Sequence, residues 1–221
     1  MLKLIGETPL PTDLGGWTYM VFRDSADGRQ HTMMVYRKPS DIKAHPNGVL
    51  VRVHSSCATS ELFHANNCEC REELDEAMRR IRREGRGVLV YLDQEGAGNG
   101  IEAKIKAYAK AFRWDGGNVV PAKDQKTGAD LSIYSAYEKL GYKKEQRSYA
   151  APAAMLKYIG VKSVRLLTNN PSKIEGLEKA GIPTKAVGIH ISPKNKIVAE
   201  HLAAKAQQLG HNINGRHLKV K

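Results

Sequence analysis

Between Trp17 and Tyr36, apolar and polar residues alternate in two runs, WTYMVFRD and HTMMVYRK, around a turn containing Asp27-Gly28. Alternation with period two on both sides of an Asp-Gly step predicts a β-hairpin. GVLVRVHS follows Pro46-Asn47-Gly48 and reads as a further strand, so residues 17 to 55 are expected to be antiparallel. From Cys70 the period changes. Leu74, Ala77, Met78 and Ile81 recur at helical spacing, and Gly85 ends that helix. GRGVLVYLDQ predicts a buried strand, and a second helix sets Ile101, Ile105, Tyr108 and Phe112 on one stripe.

Residues 113 to 130, rich in Gly and Lys, read as a mobile loop or insertion. A helix is predicted over about Leu131 to Leu140, and LGYKKEQRSY is polar and irregular. Pro152 opens a helix that Gly160 closes, SVRLLT is a strand, and Asn170-Pro171 caps the next helix. A strand near Ala186 to Ile191 and a helix carrying Val198, Leu202, Lys205 and Leu209 complete the ordered part. Strands alternating with helices give the α/β (α+β) class: a mixed sheet with flanking helices and N-terminal antiparallel strands. One catalytic domain is expected over residues 1 to 211, with 212 to 221 a disordered basic tail.

Composition narrows the function classes. The chain has 221 residues, 41% hydrophobic and 26% charged, enough for a real core. No run approaches the roughly 18 to 20 apolar residues of a membrane span. The N-terminus lacks a secretory signal pattern, so the expected compartment is the cytoplasm. Lys and Arg number 35 against 23 Asp and Glu, a net charge of +12. That surplus favours anionic partners such as nucleic acid or phosphorylated metabolites, or serves only solubility. Aromatics are 6%, with no basic-aromatic interleaving of the kind that stacks single strands, so a nucleic-acid role is permitted but not supported.

The only cysteines, Cys57, Cys68 and Cys70, fall within one short window. Three cysteines in an apparently cytosolic protein argue against a disulfide framework. Clustered thiolates suit zinc or iron-sulfur. Cys68 and Cys70 flank one residue at a helix start, where the helix dipole favours the Cys70 thiolate. Three ligands and an open fourth position make the catalytic pattern of zinc, whereas His54 or His64 could close a structural Cys3His site. The remaining reading is three unrelated buried cysteines.

VRVHSSCATSELFHANNCECREEL resembles the zinc signature of GTP cyclohydrolase II, the family that opens riboflavin biosynthesis. The resemblance continues through DQEGAGNG, KIKAYA, LGYKKEQRSY and VRLLTNNPSKIEGLEKAGI, in that family's order, from TPLPT to QLGH. It implies a zinc-dependent opening of the guanine imidazole ring of GTP. C8 leaves as formate, pyrophosphate is released, and a diaminopyrimidine ribosylamino phosphate remains. It further implies one zinc per chain on Cys57, Cys68 and Cys70, magnesium with the substrate phosphates, and a homodimer.

Residue by residue, the resemblance gives Tyr108 a catalytic role, which a phenol fills by donating a proton or orienting water; periodicity alone makes Tyr108 core. Arg147 matches an arginine used at the α-phosphate as a nucleophile. From chemistry alone it is a phosphate clamp, or a solvated loop arginine. Glu145 stands where the family carries an aspartate base. Glu95, followed by Gly96, is expected to accept from the guanine edge. Arg52, Val53, His54, Ser55 and Ser56, with Glu73, Thr168 and Lys173, complete the implied substrate-binding set. For the segment carrying Thr168 and Lys173, an ordinary Asn-Pro helix cap is the plainer reading.

Several positions depart from the family pattern. Ala97 replaces an arginine after Gln-Glu-Gly, Ser56 a glutamate and Glu73 a glutamine, and a threonine before LGY has no clear match at Ser132 or Ile133. Two further readings follow. One is a divergent paralogue acting on another purine nucleotide or stopping at a formylated intermediate. The other is a non-enzymatic, zinc-stabilised nucleic-acid-binding module, supported by charge alone.

Overall fold

In a computed structural model, residues 1–42 and 47–220 are described; Pro46 of the expected Pro46-Asn47-Gly48 turn and Lys221 of the expected tail lie outside the described residues. The chain opens with β1 (Leu2–Thr12), β2 (Gly15–Asp24) and β3 (Gln30–Tyr36), paired antiparallel in that order. The Asp-Gly hairpin forms as its pattern predicts, with the Gly28 N–H donating to the Asp24 carbonyl at 2.8 Å. Sequence pattern misses β1, whose Pro9 and Pro11 argue against a strand; it is an edge strand, where proline is tolerated.

Next come β4 (Val49–Ser55), α1 (Ala58–Glu61), α2 (Cys70–Glu84), β5 (Val88–Leu92) and α3 (Gly100–Ala111). β6 (Phe112–Asp115) and β7 (Asn118–Pro121) form a separate hairpin. The chain continues through α4 (Ile133–Lys139), α5 (Ala150–Tyr158), β8 (Val164–Leu167), α6 (Pro171–Lys179), β9 (Thr184–Val187) and α7 (Lys196–Leu209). Seven strands make one mixed sheet in the order β1-β2-β3-β5-β4-β8-β9.

One strand corrects the sequence reading. β4 is not antiparallel: it runs parallel to β5 and to β8, with Val51 beside both Val88 and Leu166. Every residue from Val49 to His54 is buried. A near-continuous run covered on both faces is the pattern of a central parallel strand.

The chain divides into two compact units. The sheet unit comprises Met1–Ser56, Arg71–Asp93 and Ser148–His190. Alternate residues along its strands point to opposite faces. Val49, Val51 and Val53 join Met155 and Leu156 of α5 and Leu177 of α6 in one core. Leu50 and Leu89 join Ala77 and Ile81 of α2 in the other.

The helical unit comprises Cys57–Cys70, Gln94–Arg147 and Ile191–Lys221. Its core packs Ala103, Ala107 and Ala111 of α3 against Tyr134 and Tyr137 of α4 and Ala204 of α7. This corrects the predicted stripe: Ile101 and Ile105 are more than half exposed. Alanines form the buried face because their small side chains let helices approach closely, so ranking by hydrophobicity picks the wrong side of α3. The segment expected to be a mobile loop contains the β6–β7 hairpin, then a turn in which Asp124 accepts from the Lys126 and Thr127 N–H groups at 2.9 and 3.0 Å. In the tail, Asn214 caps a 3-10 turn at Gly215–Leu218. Among the described residues, no helix is long and apolar enough to cross a membrane.

Candidate active site

The cysteine segment lies wholly in the helical unit. The Cys57 carbonyl accepts from the N–H groups of Ser60 and Glu61 and so starts α1, while Cys70 is the first residue of α2. The three sulfurs lie within 4.8 Å of one another, and Cys57 and Cys68 are 3.8 Å apart. All three cysteines are free thiols. No histidine among the described residues joins the group, so neither His54 nor His64 completes a Cys3His set.

The local field favours charge on one sulfur. Hydrogen bonds from the Cys68 and Cys70 thiols, aided by the Lys104 ammonium, drive the Cys57 pKa far below the usual thiol value. Sharing with Cys57 pushes Cys68 up to about 12 and raises Cys70 as well. Among the described residues no fourth His, Cys, Asp or Glu joins these three convergent soft donors, a set that fits a thiophilic metal. A second group, Asp24, Asp27 and His31, also lies within 4.8 Å. There the Asp93 N–H donates to His31 Nδ1 at 3.1 Å, which places the imidazole proton on Nε2 and leaves that nitrogen no lone pair for a metal.

A buried lysine links the sulfurs to Glu95. Lys104 Nζ donates to Cys57 Sγ at 3.2 Å and to Glu95 Oε1 at 2.7 Å. Glu95 also accepts from the N–H groups of Ala58 (2.8 Å) and Gly96 (3.1 Å). A carboxylate offers about four acceptor sites, and three of those on Glu95 are engaged within the protein. Burial works against the Lys104 ammonium, but Tyr108, Cys57 and Glu95 outweigh it and hold its pKa above the usual value. Lys104 Nζ lies 5.4 Å from the centre of the Tyr108 ring. Burial raises the Tyr108 pKa, so its phenol keeps its proton at neutral pH.

Arg147 and Glu145 sit on the irregular segment after α4. Arg147 Nε donates to both Glu145 oxygens at 2.8 and 3.0 Å, and the Arg147 N–H and Nη2 donate to the same carboxylate. The turn at 96–100 anchors this segment. The Gln146 N–H donates to the Ala97 carbonyl at 2.9 Å, and Asn99 Nδ2 donates to the Lys143 carbonyl, also at 2.9 Å. Gly98, at φ +88°, approaches so closely that a Cβ there would meet Gln146 C at 2.7 Å and Arg147 N at 2.8 Å. Ala97 holds the left-handed conformation at φ 56° despite its side chain.

The remaining predicted residues belong to the sheet unit and are mostly engaged there. Arg52 donates to the Leu167 carbonyl at 2.9 Å and is ion-paired with Glu73. Lys173 donates to the Val53 carbonyl at 2.8 Å, the Thr168 hydroxyl accepts from the Asn170 N–H at 3.0 Å, and His54 stacks on Tyr91. The Ser55 and Ser56 hydroxyls are buried with no hydrogen-bond partner among the described residues. Asn170 caps α6 through the Ser172 N–H, as its Asn-Pro step predicts.

Sequence reasoning passes over Lys104, Tyr137 and Glu69. Lys104 lies one turn before Tyr108 in KIKAYA, and that spacing was the available signal. The Tyr137 hydroxyl lies 3.0 Å from where a Cβ on Gly96 would sit, and burial raises its pKa to about 12. Glu69 pairs with Lys205 across 136 residues of sequence, which no local pattern announces.

A family model described as GTP cyclohydrolase II matches residues 3–187. The chain is 39% identical over 216 residues to a GTP cyclohydrolase-2 from Pseudomonas fluorescens, covering 96% of this chain and 94% of that protein. It is also 39% identical over 209 residues to a riboflavin biosynthesis protein RibBA from Parabacteroides distasonis, covering 94% of this chain. The chain spans about half the length of such RibBA relatives, 46% in that case. Among solved structures, RibBX from A. baumannii, a two-domain 3,4-dihydroxy-2-butanone 4-phosphate synthase, aligns at a TM-score of 0.39 and 14% identity. That alignment covers 84% of this chain and 40% of the other.

Proposed function

Since the chain belongs to the GTP cyclohydrolase II family, we propose that it opens the imidazole ring of GTP hydrolytically, releasing formate and pyrophosphate and leaving a diaminopyrimidine ribosylamino phosphate. The observation that carries this reading is the convergence of the Cys57, Cys68 and Cys70 sulfurs within 4.8 Å. We assign those sulfurs to one zinc ion, with magnesium accompanying the substrate phosphates. When bound, zinc supplies Lewis acidity and a water activated for attack near neutral pH.

The protein's own groups take the other parts. Tyr108, held protonated by burial, donates a proton in the ring-opening steps. Lys104 offsets the negative charge of the thiolates through Cys57. Arg147 acts at the α-phosphate, and Glu145, whose carboxylate already accepts from the Arg147 N–H, Nε and Nη2, orients its guanidinium and takes up a proton as that pairing is released. Glu95, with one acceptor site left, makes a single contact to the guanine edge beside Gly96. In the sheet unit, Ser55 and Ser56 are the strongest candidates for substrate contact, because a polar ligand would satisfy hydroxyls that the fold leaves unpaired. Arg52, Val53, His54, Glu73, Thr168 and Lys173 complete the set, with Arg52 and Glu73 acting through the support they give each other. The enzyme is proposed to work as a soluble homodimer.

Ala97 favours a second reading, in which another purine nucleotide is the substrate, because it lacks the charge that the family's arginine would supply. Mass spectrometry of GTP incubated with zinc-loaded protein and magnesium tests both. Formate, pyrophosphate and the pyrimidine together support the first; untouched GTP with turnover of GMP, GDP or another purine nucleotide supports the second.

A further inference from the structure

The family model ends at residue 187, yet the cysteine segment is tied to a helix beyond that point. Glu69, between Cys68 and Cys70, is 1% exposed. A carboxylate so buried is costly without a cationic partner. Its partner is Lys205 of α7, ion-paired to Oε1, and His201 Nε2, one turn earlier on the same face, lies 4.0 Å from Oε2. His201 is itself fixed by stacking on Tyr134, ring centres 5.6 Å apart. A separate contact repeats the tie. Asn195, whose side chain caps α7 through the Val198 N–H, donates from Nδ2 to the Asn66 carbonyl at 2.8 Å. Helix α7 and its cap therefore hold the cysteine segment through polar contacts at Asn66 and Glu69.

We propose that α7 is a clamp on the metal-holding segment: Lys205, backed by His201, fixes Glu69 and thereby the relative placement of the Cys68 and Cys70 sulfurs. Lys205 is in this sense a positioning residue. It acts on the ligands through the backbone of the residue between them, as outer-shell partners commonly orient metal ligands. The inference rests on the metal reading of the three cysteines and goes beyond it, since it assigns a task to a helix outside the matched region.

Cobalt(II) titration of the full chain without nucleotide tests it, read by the thiolate-to-cobalt charge-transfer absorption and by competition with a chelator. Lys205→Met should weaken cobalt binding by about 10- to 100-fold and alter the charge-transfer band, while Lys205→Arg, which keeps the cation, should restore both. Lys205→Met leaves the buried Glu69 facing His201 at 4.0 Å in place of the lysine, which threatens folding. The double variant Glu69→Gln/Lys205→Met removes both charges and decides the matter if the single variant does not fold. It too should bind cobalt at least tenfold more weakly than the unaltered chain. Cobalt affinity within twofold of the unaltered chain in the folded single or double variant would overturn the clamp. An unaltered chain that takes up no cobalt would overturn the metal reading and the clamp together. Absence of GTP turnover in a chain that binds cobalt bears on the proposed function alone.

Discussion

In the sheet unit, buried cations reach main-chain carbonyls, and Arg52 is also paired with Glu73. Arg52 reaches the Leu167 carbonyl, Lys173 reaches the Val53 carbonyl, and the Thr168 hydroxyl holds a main-chain N–H in the strand-to-helix turn. In the helical unit, buried and half-buried charges answer to one another and to sulfur: Lys104 to Glu95 and Cys57, Lys205 to Glu69, and Arg147 to Glu145. Arg52 and Lys173 thereby tie β4 to segments more than 100 positions later in the chain. In the second, Lys104 touches Cys57 itself and Glu69 stands between Cys68 and Cys70. The contrast is between charge held by the main chain and charge held by other side chains, and substitutions should separate the two.

The largest effect is expected at the sulfurs. Cys57→Ala should abolish both metal content and ring opening, because two thiolates no longer hold the ion; elemental analysis beside a formate assay checks it. A variant that keeps stoichiometric metal and activity would end the assignment of Cys57 as a ligand. Next comes Tyr108→Phe, which removes only the hydroxyl of a ring half-buried beside Phe112. Loss of a positioned proton donor should lower kcat by about 10²- to 10⁴-fold with metal content unchanged. Retention of full kcat would return Tyr108 to the packing role that its periodicity suggests.

Gly98→Ala probes the segment that carries Arg147. The added methyl would stand 2.7 Å from Gln146 C and 2.8 Å from Arg147 N, both backbone atoms, at a φ of +88° that already disfavours side chains. Something must move, and the atoms met belong to the Gln146–Arg147 backbone. A misplacement of about 1 Å can cost about 100-fold in rate, so pyrophosphate release should fall by that order while the cobalt spectrum stays as in the unaltered chain. A changed cobalt spectrum would show instead that the turn also supports the thiols.

Arg52→Met gives the counterpart in the sheet unit. It breaks the pair with the half-buried Glu73, a loss of about 1 to 3 kcal/mol, so thermal melting should fall by roughly 2 to 12 °C at about 2 to 4 °C per kcal/mol for a chain of this size. Metal bound per folded chain should not change. Metal loss in the folded variant would erase the distinction between the two units.

The sheet unit was the more legible from sequence, for physical reasons. Half-buried hairpin strands alternate with period two, and the β2–β3 pairing follows from residues 17 to 36 alone. A strand buried on both faces carries no alternation, so the direction of β4 could not be read from its own residues; it depends on β8, more than 100 positions later in the chain. In the helical unit the three thiols announced themselves because cysteine is rare and soft-metal chemistry needs several together. Their supports did not. Lys104 reads as a surface lysine until its helix is seen to bury an alanine face, and Lys205 falls on a predicted core stripe that does not say which acid it meets. The resemblance placed Tyr108 and Arg147, whereas the grip of Gly98 on the Arg147 segment is visible only in three dimensions.

Ala97→Arg addresses the smallest expected difference. Ala97 already holds φ 56° and ψ 31°, so an L residue's Cβ is already accommodated in this left-handed turn. Arginine would bring the same Cβ and add no new backbone cost. If phosphates of the substrate pass this turn, the new guanidinium should lower KM for GTP by about tenfold, equivalent to about 1.4 kcal/mol. The gain should shrink as salt rises, because an exposed charge pair is screened. Measurement of KM at low and moderate ionic strength separates the cases. A salt-sensitive drop with unchanged kcat locates the phosphates beside residue 97 and explains the native alanine as a loss of affinity rather than of chemistry. An unchanged KM means that the phosphates are recognised elsewhere, and would shift attention to the unpaired Ser55 and Ser56 hydroxyls of the sheet unit.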